Sequence, residues 1–192
     1  MIVVAEYPFN NGCSVIKTRW PQEWDEVHQV IRAVDLSQTR TKISREKTMP
    51  GGELYSPGAI NAAFREKFAP LGWRKRRIAM STQIDLSRVS AGVAQRYRPQ
   101  HRGYREIDFV KENLGIEVQF GKYASMVYSG LAKMTIFHKR GVIDAGIEIV
   151  PMRRLTSEMS TGVSYFEQMK ADLEARGIAD LDIPVVVLGI DG

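Results

Sequence analysis

Asp108 and the run Ile116-Glu117-Val118-Gln119-Phe120 carry the residue types of a metal-dependent phosphodiesterase. An acid on one short segment is followed by an acid, one spacer and an amide on the next. Lys111-Glu112-Asn113 lies between them and is polar enough for a tight turn. If both flanks are strands, that turn folds Asp108 back beside Glu117. Two carboxylates so close repel unless a cation sits between them. Mg²⁺ suits the place, since it takes one or two protein carboxylates and completes its octahedron with waters and phosphate oxygens. Asp108 and Glu117 are then the metal ligands, and the main-chain carbonyl of Val118 can add a third oxygen. Gln119, two residues beyond Glu117 on a strand, points to the same face. Its amide can orient the attacking water or donate to the phosphate. It cannot act as a general base, so the metal must supply most of the activation of water. The plain alternative is a hairpin whose two acids only solvate a face.

The elements that must hold these groups follow from the pattern of apolar residues. Strands are expected at Ile107 to Val110 and Leu114 to Phe120, then a helix from about Ala124 to Phe137. Val142 to Val150 reads as a buried strand ended by Pro151. A helix from about Ser164 to Ala175 leads to a last strand, Ile183 to Leu188. Nearer the N-terminus, Ile2 to Ala5 is a short strand candidate. Pro21 starts a helix with Trp24, Val27, Val30, Ile31 and Val34 on one face. The polar stretch from Asp35 to Gly52 reads as a loop. Ser56-Pro57 marks a helix start, with Ser as cap and Pro in the first turn. That helix buries Ile60, Ala63, Phe64 and Phe68 and ends near Gly72. Residues 74 to 105 mix periodicities and carry many basic groups. Strands alternating with helices point to an α/β fold, a central mixed sheet flanked by helices. The two carboxylates are expected at one edge of that sheet.

Composition narrows the class. A chain of 192 residues fits one domain, residues 1 to 192, with length to bury a core. Lys and Arg outnumber Asp and Glu 27 to 22, for a net charge of +5, which suits a nucleic-acid binder without proving one. One cysteine, Cys13, rules out an internal disulfide and a cysteine-rich zinc site. Three scattered histidines argue against a histidine-based metal site. No apolar run is long enough for a membrane span, and the N-terminus lacks the charged-then-apolar pattern expected of a signal peptide. A cytoplasmic location is expected.

The segment Ile107 to Lys122 resembles the active-site region of type II restriction endonucleases of the BglII and BstYI kind, within the PD-(D/E)xK superfamily. Further matching stretches are Arg40-Thr41-Lys42, Ser44-Arg45-Glu46-Lys47-Thr48, Leu54-Tyr55-Ser56-Pro57, Phe120-Gly121-Lys122-Tyr123, Glu158-Met159-Ser160 and Ser164-Tyr165. The match is poorest between Arg74 and Arg105. Ile107 stands where the superfamily pattern has proline, and Gln119 where it has lysine; the glutamine is a mark of the BglII-like branch.

The resemblance implies a restriction-endonuclease-like core in which Asp108, Glu117 and Gln119 are the catalytic residues and Mg²⁺ is the cofactor. It implies a homodimer on palindromic double-stranded DNA, each subunit cutting one strand. The expected site is purine-GATC-pyrimidine, cut to leave a four-base 5′ overhang. Lys122 matches a position facing the outer base pair, where lysine can donate to O6 and N7 of guanine or to N7 alone of adenine. Ser160 and Thr161 match a second recognition loop. Arg40, Lys42, Arg45 and Lys47 then approach the DNA from a loop, and Arg76, within Arg74-Lys75-Arg76-Arg77, belongs to a second phosphate-contacting patch. For that second patch a merely solvated surface is an equal reading. Two other functions stay open: a DNA-binding protein that kept the fold and lost catalysis, and a structure-specific repair nuclease.

Other residues read as structural. His28 lies among apolar positions of the first helix, and His138 can cap a helix C-terminus. Cys13 has no base beside it in sequence. Trp20, Trp24 and Trp73 are core or dimer residues. Glu148, on a buried strand, can approach the metal site, though an interface or structural pairing is the expectation for it. Glu167 and Asp172 are expected on a solvated helix face.

Overall fold

The computed structural model describes residues 1–47, 49–83, 85–97, 100–121, 126–176 and 182–192. The chain opens with β1 (Ile2–Phe9), α1 (Gly12–Arg19) and α2 (Pro21–Ala33). A short ribbon of β2 (Lys42–Ile43) and β3 (Glu53–Leu54) leads into α3 (Pro57–Phe68). Then come β4 (Arg74–Gln83), α4 (Ala91–Ala94), β5 (Gln100–Lys111) and β6 (Leu114–Val118). The second half holds α5 (Met126–Lys139), β7 (Ala145–Pro151), α6 (Arg153–Thr156), α7 (Phe166–Arg176) and β8 (Val185–Asp191).

Six strands form one mixed sheet in the order β1-β8-β7-β6-β5-β4. The central pairs β6/β7 and β7/β8 are parallel, and the outer pairs β1/β8, β5/β6 and β4/β5 are antiparallel. Every residue of β6, β7 and β8 is buried, as strands covered by helices on both faces must be. Alternate side chains feed two cores. On one face Leu114, Ile116, Val118, Ile147 and Ile149 pack with Ile16, Val27, Ile31, Phe64 and Phe68 from α1, α2 and α3. On the other, Ile107, Val110, Val185 and Val187 pack with Leu131, Met134, Phe137, Met169 and Leu173 from α5 and α7. The mixed sheet flanked by helices is the expected architecture. Its central strands place the acids differently from expectation, however: β6 lies inside the sheet, not at its edge.

The α3 start is as read. The Ser56 hydroxyl accepts from the Ala59 amide at 3.4 Å, and Pro57 occupies the first turn. The α2 stripe is buried, and Trp20, Trp24 and Trp73 are all core residues. Two segments carry no clear expectation from the sequence. Residues 12–19 form a helix in which only Gly12 and Ile16 are buried, too few to leave an apolar stripe in the sequence. β4 and β5 form a long antiparallel pair. They pair from Arg74↔Val110 to Gln83↔Gln100, while β6 pairs with β5 only from Phe109 to Lys111. Beyond Phe109 the pair therefore runs on as a two-stranded ribbon. Apart from buried Ile107 and half-buried Ile78 at its base, most of its side chains are solvated on both faces, which blurs the alternation that marks a half-buried strand.

The turn between β5 and β6 is tight: Lys111 pairs with Leu114 and only Glu112 and Asn113 lie between. Both take positive φ, 45° and 64°. Such turns match the twist of an antiparallel pair, but Glu there is strained where Asn is tolerated. The surroundings hold it. Trp20 Nε1 donates to the Glu112 carbonyl at 2.6 Å, the Asp144 amide donates to the Asn113 carbonyl at 2.7 Å, and Lys111 Nζ sits 2.6 and 2.8 Å from the two Glu26 oxygens.

Candidate active site

The hairpin does what the sequence spacing requires of it. Main-chain pairing of β5 with β6 ends at Phe109↔Ile116, and the next residues along are Asp108 and Glu117. There the Asp108 side chain replaces the ladder: its Oδ2 accepts from the Val118 amide at 3.1 Å. The strands begin to part where the two acids stand. Asp108 lines a cavity of about 280 Å³ whose wall also carries Arg65, Arg74 and Lys75, so three cations rim the approach to one acid.

Glu117 faces the α5 side of the sheet. It is 3% exposed, and Lys133 Nζ of α5 reaches its Oε2 at 2.6 Å. Its other oxygen, Oε1, has no hydrogen-bond partner among the described residues. Burial, and then the nearby charge of Asp108, push the Glu117 carboxyl up to about 7 against the pull of Lys133. A group so poised is half ionised near neutrality and gains strongly from a nearby cation.

Glu148 is the residue that sequence reasoning undervalued. Parallel pairing of β6 and β7 sets Glu148 directly beside Glu117. It is 0% exposed, and neither carboxyl oxygen has a partner among the described residues. Burial, then the Glu117 charge, hold its carboxyl well above the ordinary range. Among the described residues no hydrogen bond or ion pair holds it. The signal in the sequence was one acid, Ile147-Glu148-Ile149, in the middle of an apolar strand. The helix above is shaped to it: a Cβ on Gly130 would lie 2.4 and 2.5 Å from the Glu148 oxygens, so only glycine lets α5 pass this close.

Gln119 follows Glu117 on the same face, half-buried, with its amide donated to the Ile149 carbonyl at 2.9 Å. Its side-chain nitrogen would stand 3.4 Å from a Cβ on Gly121. Among the described residues no group of three His, Cys, Asp or Glu forms a ready metal cage. Mg²⁺ does not need one, because waters and phosphate oxygens fill most of its octahedron. A buried, unpartnered carboxylate oxygen on Glu117 beside Asp108 is a hard donor set that fits such an ion.

The base-recognition candidates are partly gathered elsewhere. Lys122 lies outside the described residues. Ser160 is 1% exposed and lies under the Lys42 ammonium, while Thr161 is exposed and donates its amide to Glu46 Oε2 at 3.0 Å. Arg40 pairs with Glu158 and stacks 4.5 Å from the Tyr55 ring. Two segments far apart in sequence, 40–47 and 158–161, are thus one surface. Arg45 and Lys47 stand exposed on it. Arg76 is exposed too, but lines a separate cavity of about 600 Å³ near the β5–β6 turn, with Arg74, Arg77, Lys111 and Asn113.

The residues read as structural behave in mixed ways. Cys13 Sγ does have a base beside it, donating to Glu6 Oε2 at 3.2 Å. His28 packs its ring 4.6 Å from that of Trp24, and burial lowers its pKa. His138 Nδ1 meets the Ile143 carbonyl at 2.9 Å.

The fold is shared with known enzymes. The crystal structure of restriction endonuclease BglII in complex with a DNA 16-mer superposes with a TM-score of 0.71 at 18% identity, covering 98% of this chain and 78% of that one. Free BglII gives 0.63 at 16% identity, over 98% and 79%. No curated protein sequence matches the chain. A family model for restriction endonuclease BglII/BglIII matches residues 4–190, nearly the whole length. The chain therefore belongs to the BglII/BglIII family of restriction endonucleases, type II nucleases that cleave DNA at specific sequences.

Proposed function

We propose that the protein cuts both strands of duplex DNA at a GATC-centred palindrome, acting as a cytoplasmic homodimer with Mg²⁺ held by Asp108 and Glu117. The observation that carries the site assignment is the parting of β5 from β6 at Asp108 and Glu117, with a buried, unpartnered Glu117 oxygen at the fork. The carbonyl of Val118 is the third candidate ligand. A divalent ion bound there supplies a water of lowered pKa and neutralises charge on the phosphate. Asp108 is held in place by the Val118 amide, so the ligand on β5 and the carbonyl on β6 move as one unit. Gln119 orients the attacking water or donates to the scissile phosphate.

DNA as the partner is supported by charge as well as by the DNA-bound BglII structure. Nine of the 27 Lys and Arg, but only one of the 22 Asp and Glu, fall within residues 74–105. That stretch carries +8 and the rest of the chain −3. A basic two-stranded ribbon of this kind can follow a phosphate backbone, with affinity that falls as salt rises. Arg76, Arg45 and Lys47 serve the backbone in this reading. Lys122, Ser160 and Thr161 read bases, with Lys42 and Arg40 supporting the Ser160 loop. The outer base pair is a purine-pyrimidine of either kind, and the cut leaves a four-base 5′ overhang.

Plasmid DNA digested in Mg²⁺ and sequenced at its ends tests this. Ends at purine-GATC-pyrimidine sites are expected, together with loss of cutting in Asp108→Ala and retained DNA binding in Ca²⁺. Ends at an unrelated sequence overturn the specificity, and full activity of Asp108→Ala overturns the metal assignment.

A further inference from the structure

We propose that Lys133 is a positioning residue of the cleavage site, its ammonium compensating the charge of the acid cluster and holding Glu117 by one oxygen so that the site favours an anionic phosphate over a second cation. The proposal rests on the reading of Asp108 and Glu117 as the metal-binding pair, and extends it to a residue on a different element.

Three carboxyl groups stand on neighbouring strands here without closing on one point: Asp108 on β5, Glu117 on β6 and Glu148 on β7. Gln119, the next side chain on the same face, is neutral. Among the described residues Lys133 is the cation paired into this cluster, at 2.6 Å from Glu117 Oε2. The placement is built, not incidental. Gly130 and Lys133 are three apart on α5 and share a face. Gly130 brings the helix backbone down onto Glu148, and Lys133, one turn on, spans from the helix to Glu117. Leu131 and Met134 beside them are buried and fix the rotation of the helix.

Lys133 takes one Glu117 oxygen and leaves the other unpartnered. That contact holds the carboxylate by one oxygen and leaves the other, buried oxygen to accept from an incoming group. Its charge has a second effect: a cation this close opposes binding of another cation by Glu117 and favours an anionic phosphate. Lys133 is thus expected to raise the concentration of metal the site needs and to speed cleavage once metal is bound.

These opposed effects give the test. Lys133→Met is compared with wild type in single-turnover cleavage of plasmid DNA at saturating Mg²⁺, and in Ca²⁺ binding by calorimetry without DNA. The expected result is a cleavage rate down about 100-fold, the scale of losing one preorganised charged group, with Ca²⁺ bound several-fold tighter. A lysine that served only to orient Glu117 for metal predicts weaker Ca²⁺ binding, and one that only packs predicts no change. Lys133→Gln keeps a hydrogen-bonding side chain without charge and serves if the methionine variant does not fold; it should show the same two changes. Adding Gln119→Lys to either variant returns a cation to the same face and should recover at least tenfold of the rate. An unchanged rate at saturating metal, weakened Ca²⁺ binding, or no recovery from Gln119→Lys overturns the proposal. Glu117→Ala is run alongside. If it still cuts, the metal-pair reading falls; if it is inactive while Lys133→Met cuts at the wild-type rate, only the role of Lys133 falls.

Discussion

Replacing Glu117 by glutamine should make the metal-free protein more stable at pH 8 and hardly change it at pH 5. In the folded protein this carboxyl is pushed up to about 7, by burial first and by Asp108 next, from an ordinary value of 4.5. Between those values the folded state holds a proton that the unfolded chain has released. Stability from this group is therefore fully present below about pH 4.5 and is lost as pH rises towards 7. A displacement from 4.5 to about 7 amounts to a loss on the order of 3 kcal/mol across that window. The group is almost wholly buried, so solvent screening takes little away. Glutamine mimics the protonated form at every pH. At pH 8 it should recover up to about 3 kcal/mol, less whatever the weaker bond to Lys133 costs.

For a chain of this size each kcal/mol moves Tm by roughly 2–4 °C, so the full gain at pH 8 is about 6–12 °C. Thermal unfolding followed by circular dichroism in EDTA, from pH 5 to 8, measures it. Glu148 titrates in both proteins, so the quantity compared is the difference between the two curves. Wild type should lose Tm towards pH 8 faster than the variant, and Mg²⁺ should raise the wild-type Tm alone. Parallel curves in EDTA would refute the linkage argument, and with it the picture of Glu117 as a carboxylate kept short of countercharge.

Two further changes test the supports of the site. Gly130→Ala pushes a methyl group into the Glu148 carboxyl and should cost about 1–3 kcal/mol in urea unfolding, most of it regained in Gly130→Ala/Glu148→Ala; additive losses would show that the crowding lies elsewhere. Lys111→Met strips the near-buried Glu26 of its cation and leaves it the Trp73 indole at 2.9 Å and Gln22 at 3.1 Å, so about 3–5 kcal/mol should go. A loss below about 1 kcal/mol would mean that Glu26 does not anchor the β5–β6 turn.

What the sequence made legible followed from periodicity and from local chemistry. Buried strands such as Val185–Asp191 announce themselves as apolar runs, and the α3 cap is visible in Ser56-Pro57. The pairing of Asp108 with Glu117 was legible because one tight turn fixes the register between them. Contacts between distant segments were not. Parallel pairing of β6 with β7 depends on the whole connection through α5, so nothing near Glu148 in sequence says that Glu117 is its neighbour. Lys133 was hidden for the same reason, as one of several polar residues on a helix of mixed character. The ribbon of residues 74–83 and 100–106 was hard to read because strands mostly wet on both faces carry little alternation.

That ribbon has a cost when no DNA is bound. β4 is the last strand of the sheet, ten residues long, with the hydrogen-bonding groups of its outer side facing no further strand. Such an edge is a template for a second copy of the same strand, the first step of aggregation. Arg74, Lys75, Arg76 and Arg77 stand on it, all exposed, and two like edges carrying them repel. The protection is electrostatic and so depends on the solvent: at about 1 M salt the screening length shrinks to about 3 Å and the repulsion all but vanishes. High salt, the usual means of stripping nucleic acid from such an enzyme, also lowers the barrier between one molecule's edge and the next.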